Sequence, residues 1–388
     1  MRAFQRPLTV AALAVILVWL WMALTVHYNY QGNWTALFCI GDKFPPPPQL
    51  QEPLHRFPNS FGYDGQFYHD IAHDPLLNHG SEKYIDAPQL RQRRILVPVL
   101  AWLLALGRQQ WIDTAYFAVM LGFLGLGVYW LARYALDVGR SAWWGLLYIA
   151  APSTIVSIDR MTTDLAFVTL FLGFAYYLRS GPDALRKLWI IAALACLTRE
   201  TGLCIAAGYA FYLLWQKQYI KHLVFLTSAL PFVLWAAWVS RHTPRGGQSS
   251  FPFHFPFSAI IEAIAHPQSY RESPALQTFF TMLDVAALAA FLAALLLVCR
   301  IAWRDRALGS ITIPFVALVL VVSSFSGMVD FAEVYSYGRV FGMLPLAVAL
   351  DAIARRSRLP LSLFAIVSLR TMLLLVSPAL GIVRGILR

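Results

Sequence analysis

The sequence predicts an all-α protein that crosses a membrane many times, and three observations support this fold class. Of its 388 residues, 59% are hydrophobic and 13% are charged, whereas roughly one quarter of an average soluble domain is charged. The mean hydropathy is +0.58. About a dozen apolar runs follow one another along the chain, with basic residues in the short loops between them. We therefore expect one transmembrane domain over residues 1–388.

The excess of basic residues indicates topology rather than a nucleic-acid partner. Lys and Arg outnumber Asp and Glu by 31 to 20, which gives a formal net charge of +11. In a nucleic-acid-binding protein this excess would form basic stripes on a soluble face. Here it lies beside apolar runs, as the positive-inside rule describes. We expect membrane lipids around the chain and no nucleic acid. The four cysteines indicate neither a disulfide framework nor a metal knuckle.

A helix needs roughly 17 to 25 apolar residues to cross a bilayer core, so the length of each apolar run indicates whether it can span. The clear candidates are Leu8–Tyr28, Ile112–Tyr134, Trp143–Ile158, Leu165–Leu178, Leu223–Val239, Phe279–Val298, Ile311–Phe325, Val340–Ala354 and Leu361–Ile382. The shorter runs are Ile95–Leu106, Leu188–Leu197 and Leu203–Trp215. The first run follows a basic start but is long enough to span, so we interpret it as an uncleaved first helix.

Basic clusters orient the predicted helices. They lie at 179–187, 217–221, 300–306 and 355–358. If these clusters face the cytoplasm, the polar loops 29–93, 241–275 and 326–337 and the segment around Arg199 all face the other side. Asp159 lies on that side of the membrane as well only if Ile95–Leu106 does not complete a crossing. A half-crossing or interfacial helix is reasonable there, because about 12 residues rise only about 18 Å.

The first loop, Asn29–Arg93, is too long for an idle connector and contains a predicted helix. With Asp64 as its N-cap, apolar residues recur at helical spacing up to Ala72, and Pro75 ends the pattern. We expect a short amphipathic helix lying on the membrane. The carboxylate of Asp64 would then be held at the membrane surface, where it can act as a general base on a hydroxyl. The alternative is a plain N-cap.

Charged side chains at membrane depth are costly and are therefore candidates for function. Arg199 and Glu200 lie between two short apolar runs, at a break that suits a cavity lining. An arginine there can grip a phosphate with two hydrogen bonds, or it can form a structural ion pair with Glu200 or Asp164. Arg160 and Arg339 lie at the mouths of other runs. Three converging arginines favour an anionic substrate such as a lipid-linked phosphate, although any one of them can simply snorkel.

Two histidines of the first loop have a spacing that is compatible with metal ligation. His69 and His73 have the i, i+4 spacing that suits ligation on a helix, but the glutamate of an HExxH motif is missing. The sequence therefore predicts no histidine-bound metal.

Several of these stretches resemble a known class of membrane enzyme. They are YDGQFY at Tyr63–Tyr68, IAHDP at Ile71–Pro75 and RRILVP at Arg93–Pro98. With a long external first loop, they are similar to the GT-C glycosyltransferases, and most similar to bacterial cell-surface glycopolymer proteins related to PIG-V-like mannosyltransferases. The Asp159–Asp164 and Arg199–Gly202 segments look like the later external motifs of that family. The resemblance implies a bundle of about 11 to 12 apolar helices.

The resemblance also implies an activity. A sugar would pass, with inversion, from a polyprenyl-phosphate donor to a hydroxyl of a glycan, lipid or protein acceptor, at the periplasmic or external face of a bacterial inner membrane. Asp64 would be the catalytic base, and arginines would hold the lipid phosphate. The implied substrate-binding residues are Gln66, Tyr68, Asp70, Arg94, Arg160, Asp164, Arg199, Glu200, Tyr337 and Arg339. No cofactor is required, although some relatives use a divalent cation, which Asp64, Asp70 and Asp74 could hold through oxygens.

Two other functions compete with this one. A transporter or flippase for lipid-linked sugars would also have broken helices and buried charges, but it should show an inverted repeat, and none is evident in the sequence. In a non-catalytic subunit of a polysaccharide assembly complex, Asp64 would be dispensable.

Overall fold

The computed structural model describes residues 6–50, 53–179, 184–244, 253–267, 273–305, 309–325, 327 and 331–387. Residues 245–252 and 268–272 of the predicted external loop 241–275 lie outside these residues, as does Arg306 of the third basic cluster. The described chain is predominantly helical. Its one sheet is a parallel pair of short strands, β1 (Ile40–Gly41) and β2 (Arg56–Phe57).

The helices follow one another with short connections. The first nine are α1 (Pro7–Asn29), α2 (Asp64–His73), α3 (Pro88–Arg93), α4 (Leu96–Leu104), α5 (Gln109–Asp137), α6 (Pro152–Arg160), α7 (Asp164–Leu178), α8 (Leu185–Thr198) and α9 (Gly202–Trp215). The next nine are α10 (Tyr219–Leu226), α11 (Leu230–His242), α12 (Ser258–Ala265), α13 (Pro274–Asp305), α14 (Gly309–Phe325), α15 (Val334–Val340), α16 (Met343–Arg355), α17 (Arg358–Met372) and α18 (Val376–Ile386). Short 3-10 helices lie at Trp34–Phe38, Ser81–Tyr84, Ala142–Tyr148, Thr227–Ala229 and Leu373–Leu375.

Five helical segments of the described chain are long and apolar enough to cross a membrane. They are Pro7–Asn29, Gln109–Asp137, Tyr219–His242, Pro274–Arg300 and Arg358–Ile386. Helices α15 and α16 pass the same test as a pair. The all-α, polytopic membrane architecture therefore agrees with the sequence. Other predicted runs form shorter helices, such as α7 with 15 residues and α9 with 14.

Two predicted spans are not straight helices. The run Trp143–Ile158 is divided between the 3-10 helix Ala142–Tyr148 and α6, which begins at Pro152. Proline lacks the N–H that a continuous helix would need at that point. The run Val340–Ala354 is divided between α15 and α16, which are bent by 57° at their junction.

Helix α2 ends before Pro75 as predicted but begins one residue earlier than predicted, and its environment differs from the expected membrane surface. All ten of its residues are buried. Tyr63, rather than Asp64, is its N-cap. The helix does not need a lipid-facing side and a water-facing side, because its polar side chains have partners inside the protein.

Helix α4 has nine residues, so it rises only about 14 Å, or half of a bilayer core of roughly 30 Å. Both of its flanks are attached to α2. Arg94, before α4, donates to the hydroxyl of Tyr68 at 3.1 Å, and Gln109, after α4, donates to the carbonyl oxygen of His73 at 3.0 Å. The residues on both sides of α4 therefore contact α2, and the half-crossing of Ile95–Leu106 stays a prediction.

Candidate active site

Polar segments that are distant in the sequence meet at the N-terminal end of α2. The structure brings together the first loop, the α6–α7 junction, the break between α8 and α9, and helix α15. We call the result the arginine–carboxylate cluster; it consists of Asp64, Arg91, Arg94, Asp159, Arg160, Asp164, Arg199, Glu200 and Arg339, with Tyr68 and Tyr335. The loop 241–275, which the topology prediction placed on the same side, contributes no residue to these pairs within the described part of the chain.

Asp64 is held by two arginines. Its Oδ2 lies 2.7 Å from Nη1 of Arg91 and also accepts a hydrogen bond from Arg339. Burial alone would raise the pKa of Asp64, but Arg339 and Arg91 outweigh burial and hold this pKa well below its usual range. The carboxylate is therefore charged at neutral pH, and it becomes a useful base only when a guanidinium leaves it.

Two glycines and one glutamine fix the start of α2. Gly62 has a φ of +73°, which favours glycine. At Gly65 an added Cβ would collide with the carbonyl oxygen of Arg160, so glycine lets α2 touch the end of α6. Gln66 donates to the carbonyl oxygen of Phe61 at 2.7 Å and accepts from the backbone N–H of Gly41 at 3.1 Å. Its amide is engaged with backbone, so Gln66 positions the loop that leads to Asp64.

Asp164 connects the arginines of two other segments. It pairs with Arg199 through Oδ1, and its Oδ2 lies 3.8 Å from Nη1 of Arg339. The Nε atoms of Arg199 and Arg339 are buried and have no hydrogen-bond partner among the described residues. Buried donors of this kind are rarely left unpaired. One of these unused N–H groups belongs to the arginine that pairs with Asp64 and the other to the arginine that pairs with Asp164, and each can receive an anionic oxygen of a ligand.

Arg199 is also crowded by like charge. Burial lowers its pKa to about 10, and repulsion from Arg94 and Arg339 adds to this effect, while Glu200 opposes it. An added anion would relieve this repulsion. The electrostatics around Arg199 therefore favour a negatively charged ligand.

Arg94 and Glu200 form the best-matched pair of the cluster. Arg94 Nε lies 3.0 Å from Oε2 of Glu200, and Nη2 lies 2.6 Å from Oε1. Burial would raise the pKa of Glu200, but Arg94 lowers it to about 2. This bidentate pair uses both carboxylate oxygens, so it links the first loop to the α8–α9 break rather than offering a free group to a substrate.

A second acidic group lies at the end of α6. Oδ2 of Asp159 lies 3.1 Å from Nε of Arg160, and Arg160 donates to the hydroxyl of Tyr335 at 2.7 Å. The ring of Tyr335 lies 5.7 Å from that of Tyr63, the residue before Asp64. Burial raises the pKa of Asp159 despite Arg160. The pKa values of Asp64 and Asp159 are therefore displaced in opposite directions within the cluster, because two arginines hold Asp64 whereas burial dominates at Asp159.

Two of the residues expected at the site lie elsewhere. The hydroxyl of Tyr337 donates to Asp284 at 2.6 Å, beside Arg370, so it belongs to a separate buried group. Tyr337 is two residues from Arg339 and therefore lies on the opposite face of α15. Oδ1 of Asp70 lies 3.4 Å from Nδ1 of His69, so its carboxylate faces the histidine side of α2.

Three residues of the cluster were missing from the expected substrate-binding residues. Tyr335 is four residues before Arg339. Residues with this i, i+4 spacing lie on the same face of a helix, so the sequence could have indicated that Tyr335 belongs to the site. Asp159 was placed on the external face but was given no role. Nothing in the sequence distinguishes Arg91 from the neighbouring arginines, because its pairing depends on the direction of α3.

The oxygen-only cation site suggested by the resemblance does not form. Asp64 faces guanidinium groups, while Asp74 accepts backbone N–H bonds from Asn78 and His79 at 2.8 and 3.0 Å. In the described chain, three potential metal-ligating side chains converge within 4.8 Å only at His69, His73 and Asp113.

Comparison of the chain with protein-family models, with curated proteins and with solved structures finds no significant match. The function must therefore be argued from the chemistry of the cluster itself.

Proposed function

We propose that the protein is a membrane glycosyltransferase of the GT-C type, which transfers a sugar from a polyprenyl-phosphate donor to an acceptor hydroxyl on the external face of a bacterial inner membrane. The observation that carries this proposal is the pair of unused, buried guanidinium N–H groups on Arg199 and Arg339. Arg339 pairs with the carboxylate of Asp64, and Asp164 links Arg339 to Arg199. This combination supplies a grip for a departing phosphate and a base for an attacking hydroxyl.

The proposed reaction is one inverting displacement. The acceptor oxygen attacks the anomeric carbon of the donor, and the bond from that carbon to the phosphate oxygen breaks. The electron pair of this bond stays on the phosphate, which Arg199 and Arg339 neutralise. The hydroxyl proton passes to Asp64. The protein must mainly orient the two reactants and stabilise the leaving charge.

Donor binding would also activate the base. When Arg339 turns toward the phosphate, Asp64 loses one of the two charges that lower its pKa, and its basicity rises. The base would therefore be exposed only when the donor is in place, which suits an enzyme that must avoid unproductive proton transfer.

An apolar groove next to α3 suits the lipid part of such a donor. It is lined by Leu76, Asn78, Pro231, Leu234, Trp235 and Trp238 and has a volume of about 530 Å³. The indole of Trp235 donates to the carbonyl oxygen of Gln92 at 2.8 Å, two residues before Arg94. A polyprenyl chain in this groove would place its phosphate toward the arginines.

Mass spectrometry tests the proposal. The purified chain, reconstituted in vesicles with polyprenyl-phosphate sugars and an envelope extract as acceptor source, should consume one donor and increase the acceptor mass by one sugar. Asp64→Asn should abolish this change, while Glu262→Gln, at an exposed position on α12, should not. Movement of intact donor across the vesicle without any change of mass would instead support a flippase. Normal glycan in cells carrying the Asp64→Asn protein would support a non-catalytic subunit.

A further inference from the structure

A second group of polar side chains joins α2 to the start of α5. His69 and His73 project from α2, and Asp113 lies one turn into α5. The Nε2 atoms of both histidines lie 3.1 Å from the same atom, Oδ1 of Asp113. Both imidazoles are buried, and the ring of Phe38 packs on His69 with centroids 4.6 Å apart. None of these three side chains has a role in the proposed transfer reaction.

Hydrogen bonding fixes the tautomer of His73. The amide nitrogen of Gln109 donates to the carbonyl oxygen of His73 at 3.0 Å, which orients the amide and turns its oxygen toward the ring. That oxygen lies 2.6 Å from Nδ1 of His73, so Nδ1 must carry the proton. A neutral His73 therefore directs the lone pair of Nε2 at Asp113, where a carboxylate oxygen cannot donate a hydrogen bond.

His69 lies between two carboxylates. Its Nδ1 faces Oδ1 of Asp70 at 3.4 Å and its Nε2 faces Oδ1 of Asp113 at 3.1 Å, so the tautomer with its proton on Nδ1 directs the lone pair of Nε2 at Asp113. In metal sites, a ligating histidine usually donates its other N–H to a carboxylate or carbonyl oxygen, which fixes the ring. Asp70 and Gln109 are the two acceptors that such a site requires.

We infer that His69, His73 and Asp113 bind a divalent transition-metal ion, with Zn²⁺ as the best match, which links α2 to α5. Two imidazole nitrogens and one carboxylate oxygen are typical ligands of zinc. In a tetrahedral zinc site, bonds near 2.0–2.1 Å place the ligand atoms about 3.3 Å apart, close to the 3.1 Å observed here.

Charge balance supports the same inference. With both histidines neutral, Asp113 and Asp70 carry two negative charges in a largely buried group. A divalent cation compensates both of them, and burial of uncompensated charge is costly. The side chain of Asp113 retains 17% exposure, so one coordination position can be filled by water. The sequence predicted no such ion, because its third ligand lies 40 residues beyond His73 rather than in an HExxH motif.

The test uses the full chain in detergent, stripped with a chelator and titrated with Zn²⁺ or Co²⁺. One equivalent should bind per chain and raise the melting temperature, and Co²⁺ should give the intense visible bands of a low-coordinate site. His73→Gln should weaken binding at least 100-fold, and Asp70→Asn by about 10-fold. His79→Gln is the matched control, because His79 is an exposed histidine of the same loop.

The inference fails if the unmodified chain binds no more metal than His73→Gln, or if His79→Gln weakens binding equally. Should His73→Gln not fold, the unmodified chain decides alone: unchanged melting on chelation and on Zn²⁺ addition would overturn the site. Because these measurements involve no sugar transfer, their outcome is independent of the proposed enzymatic function.

Discussion

Arg339 of α15 forms an ion pair with Asp64 of α2, although the two residues are 275 positions apart in the sequence. The guanidinium of Arg339 also lies over the ring of Tyr63, 4.9 Å from its centroid. The same cation thus covers the candidate base and reaches toward Asp164. Control of Asp64 by Arg339 is the basis of the first two predictions.

Asp64→Asn should reduce sugar transfer by about 10²- to 10⁴-fold, the usual contribution of a general base. The amide keeps the size of the side chain, and the protein should still be produced and monodisperse. Initial rates of donor consumption measure the effect. A loss of less than tenfold would exclude Asp64 as the base.

Arg339→Lys should raise the KM for the donor more than it lowers kcat. Lysine retains the positive charge but lacks the planar fork that binds phosphate oxygens with two hydrogen bonds. We expect roughly a tenfold effect, measured by donor titration at saturating acceptor. Arg384→Lys is the control, since Arg384 is exposed in α18. An unchanged KM would show that Arg339 does not contact the phosphate.

Gly65→Ala should impair both folding and activity, because the added methyl group collides with the backbone of α6. Gly122→Ala is a matched substitution within a helix, where an added Cβ meets no atom within 4 Å. It should be neutral or slightly stabilising, given the higher helix propensity of alanine. Melting temperatures of the two variants provide the comparison. Equal melting temperatures of the two variants would contradict the close contact between α2 and α6.

Glu200→Gln should lower stability by about 2 kcal/mol at pH 7, because it removes the charge opposite Arg94. The folded-state pKa of Glu200 is about 2, below its ordinary value of about 4.3. The stabilisation is therefore complete above the ordinary pKa and is lost as the pH falls toward 2. The difference in melting temperature between the variant and the unmodified protein should become smaller as the pH is lowered from 5 to 3. A difference that is constant over this range would contradict the assignment.

Tyr335→Phe and Tyr337→Phe should have different consequences, although the residues are neighbours on α15. Tyr335 bonds to Arg160 within the cluster, so its loss should affect donor KM. Tyr337 bonds to Asp284, so its loss should lower the melting temperature and leave KM unchanged. If Tyr337→Phe changed the donor KM and Tyr335→Phe changed only the melting temperature, α15 would present its other face to the site.

The sequence predicted the parts of this protein that depend on local pattern. Helix α2 was expected from its apolar spacing and from Pro75, and the membrane architecture from the apolar runs. The partners of each charge could not be predicted in the same way. Arg91 binds Asp64 because α3 turns back toward α2, and Tyr337 turns away because α15 places positions 337 and 339 on opposite faces. Both facts depend on packing between distant segments.

The length of chain between Asp64 and Arg339 also has a consequence for synthesis. At translation rates of about 5–20 residues per second, Arg339 is made roughly a quarter of a minute to one minute after Asp64. During this interval the first loop is complete, but its buried carboxylate has only one of its two guanidinium partners. The cluster is therefore completed by one of the last helices to be made, and a chain that stops before α15 leaves the carboxylate of the candidate base with a single arginine partner.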